Sequence, residues 1–185
     1  SHGSAMAHEF QHAALIAIGS NIDPELNVPL ALGHLAAKLP VDAVSHFYWP
    51  APIGVDTQPK FLNGACLVRT DQSPRELKFN VLRKIEDKLG RVRSADKFAP
   101  REIDLDIALF DELQVDGDEL HIPDPEIALR PFLGIPLAEI AADWVVPGLG
   151  ATLGSIAAGM PREGLVLDKS VTARCRQVVL KESQR

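Results

Sequence analysis

The chain has 185 residues, 46% of them apolar and 24% charged, enough for one domain with a sizeable core and no need of disulfide or metal staples. Its 19 basic and 25 acidic side chains leave a net charge of −6, which argues against a general nucleic-acid binder. No apolar run reaches the roughly 18–20 residues of a membrane-spanning helix, and Cys66 and Cys175 give neither a disulfide framework nor zinc spacing, so the cytoplasm is the expected compartment.

Residues 1–12 read as a tag remnant and an unstructured start. Ser1 to Met6 has neither the basic end nor the apolar stretch of a targeting peptide, and the native start is expected near Met6. Ala13 to Ile18 is an apolar strand broken by Gly19-Ser20-Asn21, after which Asp23 is expected to cap a helix with Pro24 in its first position. Val28, Leu32, Leu35 and Leu39, spaced by four, three and four, mark its buried face, and Pro40 ends it. Strands are expected over 42–49 and 62–69, with a proline-rich binding loop, Pro50 to Pro59, between them.

Ser73-Pro74-Arg75-Glu76 has a capping-box pattern, so a second helix starts there, with Leu77, Val81, Leu82, Ile85 and Leu89 facing the core and Gly90 at its end. A basic loop and the strand Ile103–Ile107 follow. The order β-α-β-β-α-β predicts an α+β fold, a ferredoxin-like sheet with helices on one face. Further on, the pattern predicts a hairpin over 113–122, a short helix near 126–130, segments punctuated by Pro131 and Pro136, and a last short helix over 151–160. Residues 13–160 read as a single domain, and 161–185 as an extension of unknown role without a convincing period.

The chemistry concentrates in residues 91–110. The strand period of two puts Asp104 and Asp106 on one face, with Cα atoms about 6.5–7 Å apart, and Ile103, Leu105 and Ile107 on the other. An isolated Asp-x-Asp usually marks solvent exposure. Here its apolar flanks suggest a central strand, where two carboxylates need cations. The spacing suits magnesium, which takes oxygen ligands and keeps water and substrate phosphates in its shell. Arg91, Arg93, Lys97 and Arg101 just upstream supply positive charge for a transferring phosphoryl group. His8, His12, His34, His46 and His121 lack metal-ligand spacing.

Pro100-Arg101-Glu102-Ile103-Asp104-Leu105-Asp106-Ile107 resembles the signature of the 6-hydroxymethyl-7,8-dihydropterin pyrophosphokinase family of folate biosynthesis. The similarity extends to Ala17–Asn21, Phe61-Leu62-Asn63, Gly90–Arg93, Arg130–Leu133 and Pro136–Ala141, in the family's order over about residues 14–160. The resemblance implies transfer of a pyrophosphoryl group from ATP to the pterin hydroxymethyl oxygen, with Asp104 and Asp106 holding two magnesium ions. Arg91 and Arg101 match the catalytic arginines. On the ATP side it implies Glu86, Arg93, Lys97, Ile107, Asp124 and Arg130 as well. For Glu86 an ordinary helix-surface carboxylate near Arg83 and Lys84 is the other reading.

On the pterin side the resemblance implies Phe61 and Phe132 sandwiching the ring, Asn63 at its polar edge, Pro50, Ala51 and Ile53 closing the pocket, and Asn21 in support. It also implies a monomer, with neither nucleic acid nor membrane as partner. The chain departs from the family pattern at Pro50, where threonine is usual, at Lys97, where arginine is usual, and at Asp124, where histidine is usual. A paralogue that binds pterin or nucleotide without efficient turnover, or one acting on a related pterin, is the alternative.

Overall fold

A computed structural model describes residues 8–51, 60–90 and 102–185. Strand β1 (His12–Ser20) is buried on both faces, as its nearly unbroken apolar run requires. It pairs antiparallel with β4 (Leu62–Thr70) on one side and with β5 (Asp104–Phe110) on the other. Beyond β4 lie β2 (Val41–Val44) and β3 (Phe47–Pro50), and beyond β3 lies β10 (Leu165–Asp168), so the sheet runs β10-β3-β4-β1-β5 with β2 also on β4.

Period-two alternation splits the side chains between two cores. Ala14, Ile16 and Ile18 of β1 face α1 (Pro24–Lys38), α3 (Arg83–Lys88) and α6 (Lys169–Ser183), whereas Leu15 faces α4 (Pro131–Ala141) and α5 (Leu153–Ala158). Helices α1 and α3, from the first half of the chain, share one face as that half predicts, and α4 and α5, from the second half, cover the other. No described helix is long and apolar enough to cross a membrane.

Several local expectations are corrected. Asp23 stands at the start of α1 but in a left-handed conformation, φ 40°, with no side-chain cap; its carbonyl accepts from the Leu26 and Asn27 amides instead. The strand expected over 42–49 breaks at Ser45-His46, because Ser45 Oγ accepts from Ala65 N and His46 N donates to the Glu139 carboxylate, which diverts the chain from regular pairing. The capping box at Ser73 forms, with Glu76 N on Ser73 Oγ and Ser73 N on Glu76 Oε1. After α2 (Pro74–Glu76), however, Leu77–Leu82 is a π-helical segment before α3.

Residues 125–129 form turns, and the helix begins at Pro131, whose missing N–H costs nothing in the first turn. Pro136 lies inside α4 instead of ending it. The hairpin of β6 (Val115–Asp116) and β7 (His121–Ile122) forms within 113–122, and a second pair, β8 (Val145–Val146) with β9 (Ala151–Thr152), takes the first two residues of the helix expected at 151. That helix, α5, is not the last: Leu165–Ser183, which showed no clear period, forms β10 and α6. Its apolar residues are too sparse for a periodic signal, yet Val171, Cys175 and Val179 are buried against the sheet.

Candidate active site

Strand β5 is the edge of the described sheet, not a central strand: β1 is its only sheet neighbour, because the chain leaves β5 for the separate β6–β7 hairpin. Leu105 and Ile107 are buried toward α1 and α3, which turns Asp104 and Asp106 to the α4 side. Direct pairing carries this face across the sheet. Asp104 lies opposite Gly19, Gly19 opposite Asn63 and Asn63 opposite Tyr48, with Asp106 opposite Ala17 in the next row.

Over these rows sits a cavity of about 710 Å³. Its acidic end is formed by Asp104, Asp106, Asp124 and Glu126 with Arg130; Phe61, Asn63 and Phe132 line its middle, and Pro50, Pro161 and Leu165 its far end. A smaller cavity of about 200 Å³ adjoins it, lined by Lys78, Ile107, Glu119 and His121, and the two share Asp106 and Asp124.

The strand carrying the two aspartates is fixed from behind. Glu86 is fully buried, and its Oε2 accepts from Leu105 N at 2.9 Å while Oε1 lies 3.2 Å from Arg83 Nη1. The helix-surface reading of Glu86 is therefore wrong: its helix turns it inward, onto the one backbone donor between the aspartates. Ser20 Oγ donates to the Glu102 carbonyl and holds the approach to β5 against the end of β1. A β-bulge at Ala108 breaks the β1 pairing, and the Ala108 carbonyl accepts from Asp124 N at 2.8 Å, which brings Asp124 beside the pair. Burial pushes the Asp124 carboxyl above its ordinary pKa, while the hydrogen bond from Glu126 N pulls the other way.

Glycine at position 19 makes room at the middle of the cavity. A Cβ there would lie 3.0 Å from Asn63 Oδ1 and 3.6 Å from the Phe61 ring. Asn63 Nδ2 reaches the Phe61 carbonyl at 3.4 Å, a long bond that leaves much of the amide's capacity for a ligand. Phe132, in the first turn of α4, is 39% exposed although large and aromatic, as a residue waiting for a flat apolar partner would be. Among the described residues no three His, Cys, Asp or Glu side chains form a complete metal site. Two carboxylates on one strand face fit magnesium, which completes its shell with water and substrate oxygens.

The family model for 7,8-dihydro-6-hydroxymethylpterin-pyrophosphokinase (HPPK) matches residues 15–142. The chain belongs to this family. It is 40% identical over 145 residues to the 2-amino-4-hydroxy-6-hydroxymethyldihydropteridine pyrophosphokinase of Synechocystis sp., covering 77% of this chain and 73% of the relative. With the enzyme of that name from Pseudomonas aeruginosa it shares 36% over 154 residues, covering 81% and 93%.

Among solved structures, Plasmodium falciparum HPPK-DHPS with pteroate superposes with a TM-score of 0.63 at 13% identity, over 83% of this chain and 44% of that one, a likeness of fold. The family match ends at Ala142, yet Pro161, Gly164 and Leu165 line the larger cavity.

Of the residues singled out from sequence, Pro50, Phe61, Asn63, Asp104, Asp106, Asp124, Arg130 and Phe132 meet around the larger cavity, and Ile107 lines the smaller one. Ala51 adjoins Pro50 and donates its N–H to the Gly164 carbonyl at 2.9 Å. Asn21 is buried just after β1, and Glu86 lies behind β5; neither lines a cavity. Arg91, Arg93, Lys97, Arg101 and Ile53 lie outside the described residues. Sequence reasoning missed Lys78, Pro161 and Leu165. Lys78 sits in the π-helical segment, which helical periodicity does not anticipate, and its ammonium donates to the Glu119 carbonyl across the smaller cavity.

Proposed function

We infer that the protein transfers the pyrophosphoryl group of ATP to the hydroxymethyl oxygen of 6-hydroxymethyl-7,8-dihydropterin, releasing AMP, in folate biosynthesis. One observation carries this reading within the family: two same-face aspartates stand at one end of a cavity whose middle offers two aromatic rings and an amide. The pterin ring lies between Phe61 and Phe132 with its polar edge on Asn63; Pro50, Ala51 and Ile53 complete its surroundings, and Asn21 supports the pocket from behind. Its hydroxymethyl group points toward Asp104 and Asp106.

The hydroxyl oxygen attacks the β-phosphorus. The bond from that phosphorus to the oxygen bridging it to the α-phosphate breaks, and AMP leaves with that oxygen. An aspartate oxygen of the pair accepts or steers the hydroxyl proton. Asp104 and Asp106 would hold two magnesium ions, which when bound offset the charge of the phosphates. Arg91 and Arg101 press on the transferring group, with Arg93, Lys97 and Arg130 on the triphosphate. The nucleotide reaches into the smaller cavity beside Ile107, with Asp124 at the junction and Glu86 supporting the strand from behind.

The sheet order, in which β5, β1, β4 and the broken β2/β3 strand alternate in direction with crossover helices, supports a ferredoxin-like core. The protein acts as a monomer in the cytoplasm.

The test is AMP formation from ATP and 6-hydroxymethyl-7,8-dihydropterin with magnesium, in the parent protein and in Asp104→Ala. Magnesium-dependent AMP from the parent alone is expected. Pterin binding without AMP would instead favour a non-catalytic paralogue or another acceptor.

A further inference from the structure

The wall of the larger cavity opposite the aspartates comes from the C-terminal segment. Pro161, Gly164 and Leu165 all line it, beside Pro50. Leu165 pairs directly with Pro50 across the β3–β10 ladder, so the two side chains share the α4 face of the sheet. Asp104 and Leu165 stand on opposite edge strands, four strand spacings or roughly 19 Å apart across the sheet. From the aspartates the cavity runs past Asn63 toward Leu165, so an acceptor whose reacting oxygen lies at the aspartates has its far end on the Leu165 side.

The wall is braced. Ala51 N donates to the Gly164 carbonyl at 2.9 Å, and Trp49 Nε1 donates to Asp168 Oδ2 at 2.9 Å. From α6, Thr172 Oγ1 accepts from Phe47 N at 2.9 Å, and Arg176 donates through Nε and Nη2 to the Val44 carbonyl at 3.2 and 3.0 Å. Tyr48, between Phe47 and Trp49, donates its hydroxyl to Glu139 of α4, and burial with that carboxylate pushes the phenol up to about 12. The segment beyond the family match is thus bonded to the strand that leads into the acceptor pocket.

We propose that Leu165 is a specificity-determining residue of the acceptor pocket: with Pro161 it closes the far end of the cavity and limits how long a pterin-class acceptor can be. Val166, the next residue along, turns to the other face and is 47% exposed, which provides an internal control on the same strand. The proposal rests on the cavity being the pterin site.

The experiment measures KM for the pterin and for ATP in the parent, Leu165→Trp, Leu165→Ala and Val166→Trp. An indole projecting into the pocket is expected to raise the pterin KM about tenfold or more, from the contacts and space it displaces. Truncation to alanine is expected to raise it about threefold, for a partly buried leucine, and keeps the test open if the tryptophan variant does not fold. ATP KM should stay unchanged in both, and Val166→Trp should match the parent. An unchanged pterin KM in the Leu165 variants, or an equal shift in ATP KM, would overturn the proposal while leaving the pyrophosphokinase reading intact. Absence of AMP from the parent would sink that reading instead.

Discussion

At its acidic end the cavity is built around one short strand, Asp104–Phe110, whose Leu105 amide is bonded by the buried carboxylate of Glu86, with Asp124, Glu126 and Arg130 beside it. At its apolar end it is built from β3, the start of β4, the first turn of α4 and the C-terminal strand, segments far apart in the chain that are tied by several separate hydrogen bonds. The aspartate pair of the first end has local geometry; the second end has dispersed geometry and shared support. A buried backbone N–H bonded by a carboxylate loses that partner when the side chain is removed, whereas β3, braced through Phe47, Tyr48 and Trp49, can lose one bond and keep the others.

This contrast can be broken most directly at Glu86. Glu86→Ala leaves Leu105 N without its partner in a dry environment and is expected to cost about 2–3 kcal/mol, read as a lower urea midpoint, together with reduced AMP formation as the aspartate strand loosens. If stability and turnover both stay at the parent's level, Glu86 is not an anchor of the acidic end. At the other end, Gly64→Ala would place a Cβ 2.5 Å from the Phe47 ring. Overpacking of that kind costs about 1–3 kcal/mol, and chemical denaturation should register it with β3 displaced.

Smaller effects separate the substrates. Gly19→Ala puts a Cβ 3.0 Å from Asn63 Oδ1; displacing that amide is expected to raise the pterin KM about fivefold, near 1 kcal/mol of hydrogen bonding, with ATP KM unchanged. The smallest change belongs to the junction of the two cavities. Asp124 is a half-buried carboxylate that would repel a triphosphate unless a cation lies between them. Asp124→His should therefore lower KM for ATP by roughly two- to fivefold, about 0.4–1 kcal/mol, and an unchanged constant would remove Asp124 from the account of nucleotide affinity.

The acidic end was legible in the sequence because its geometry is local. Period two alone puts Asp104 and Asp106 on one face, and Leu105 and Ile107 opposite them are buried as that period requires. Phe61, Asn63 and Phe132 were legible only through resemblance, since a phenylalanine beside an asparagine carries no signal of its own. The edge position of β5 was misread because apolar flanks do not distinguish a strand covered by a neighbouring strand from one covered by helices. Burial of Glu86 was uncertain for a related reason: helical phase gives the direction of a side chain but not what lies there.

By itself the sequence determined the strand with its paired carboxylates, the capping box at Ser73, the core stripe of α1 and membership of a pyrophosphokinase family. These follow from short-range periodicity, local hydrogen bonding and a contiguous signature. Only the tertiary structure decided that β5 is an edge, that Glu86 fastens it, and that Leu165 stands across the cavity from Asp104. Such relations depend on which strands pair and in what register, and pairing is set by the burial of both sheet faces at once, a balance over the whole chain that no local stretch of residues contains.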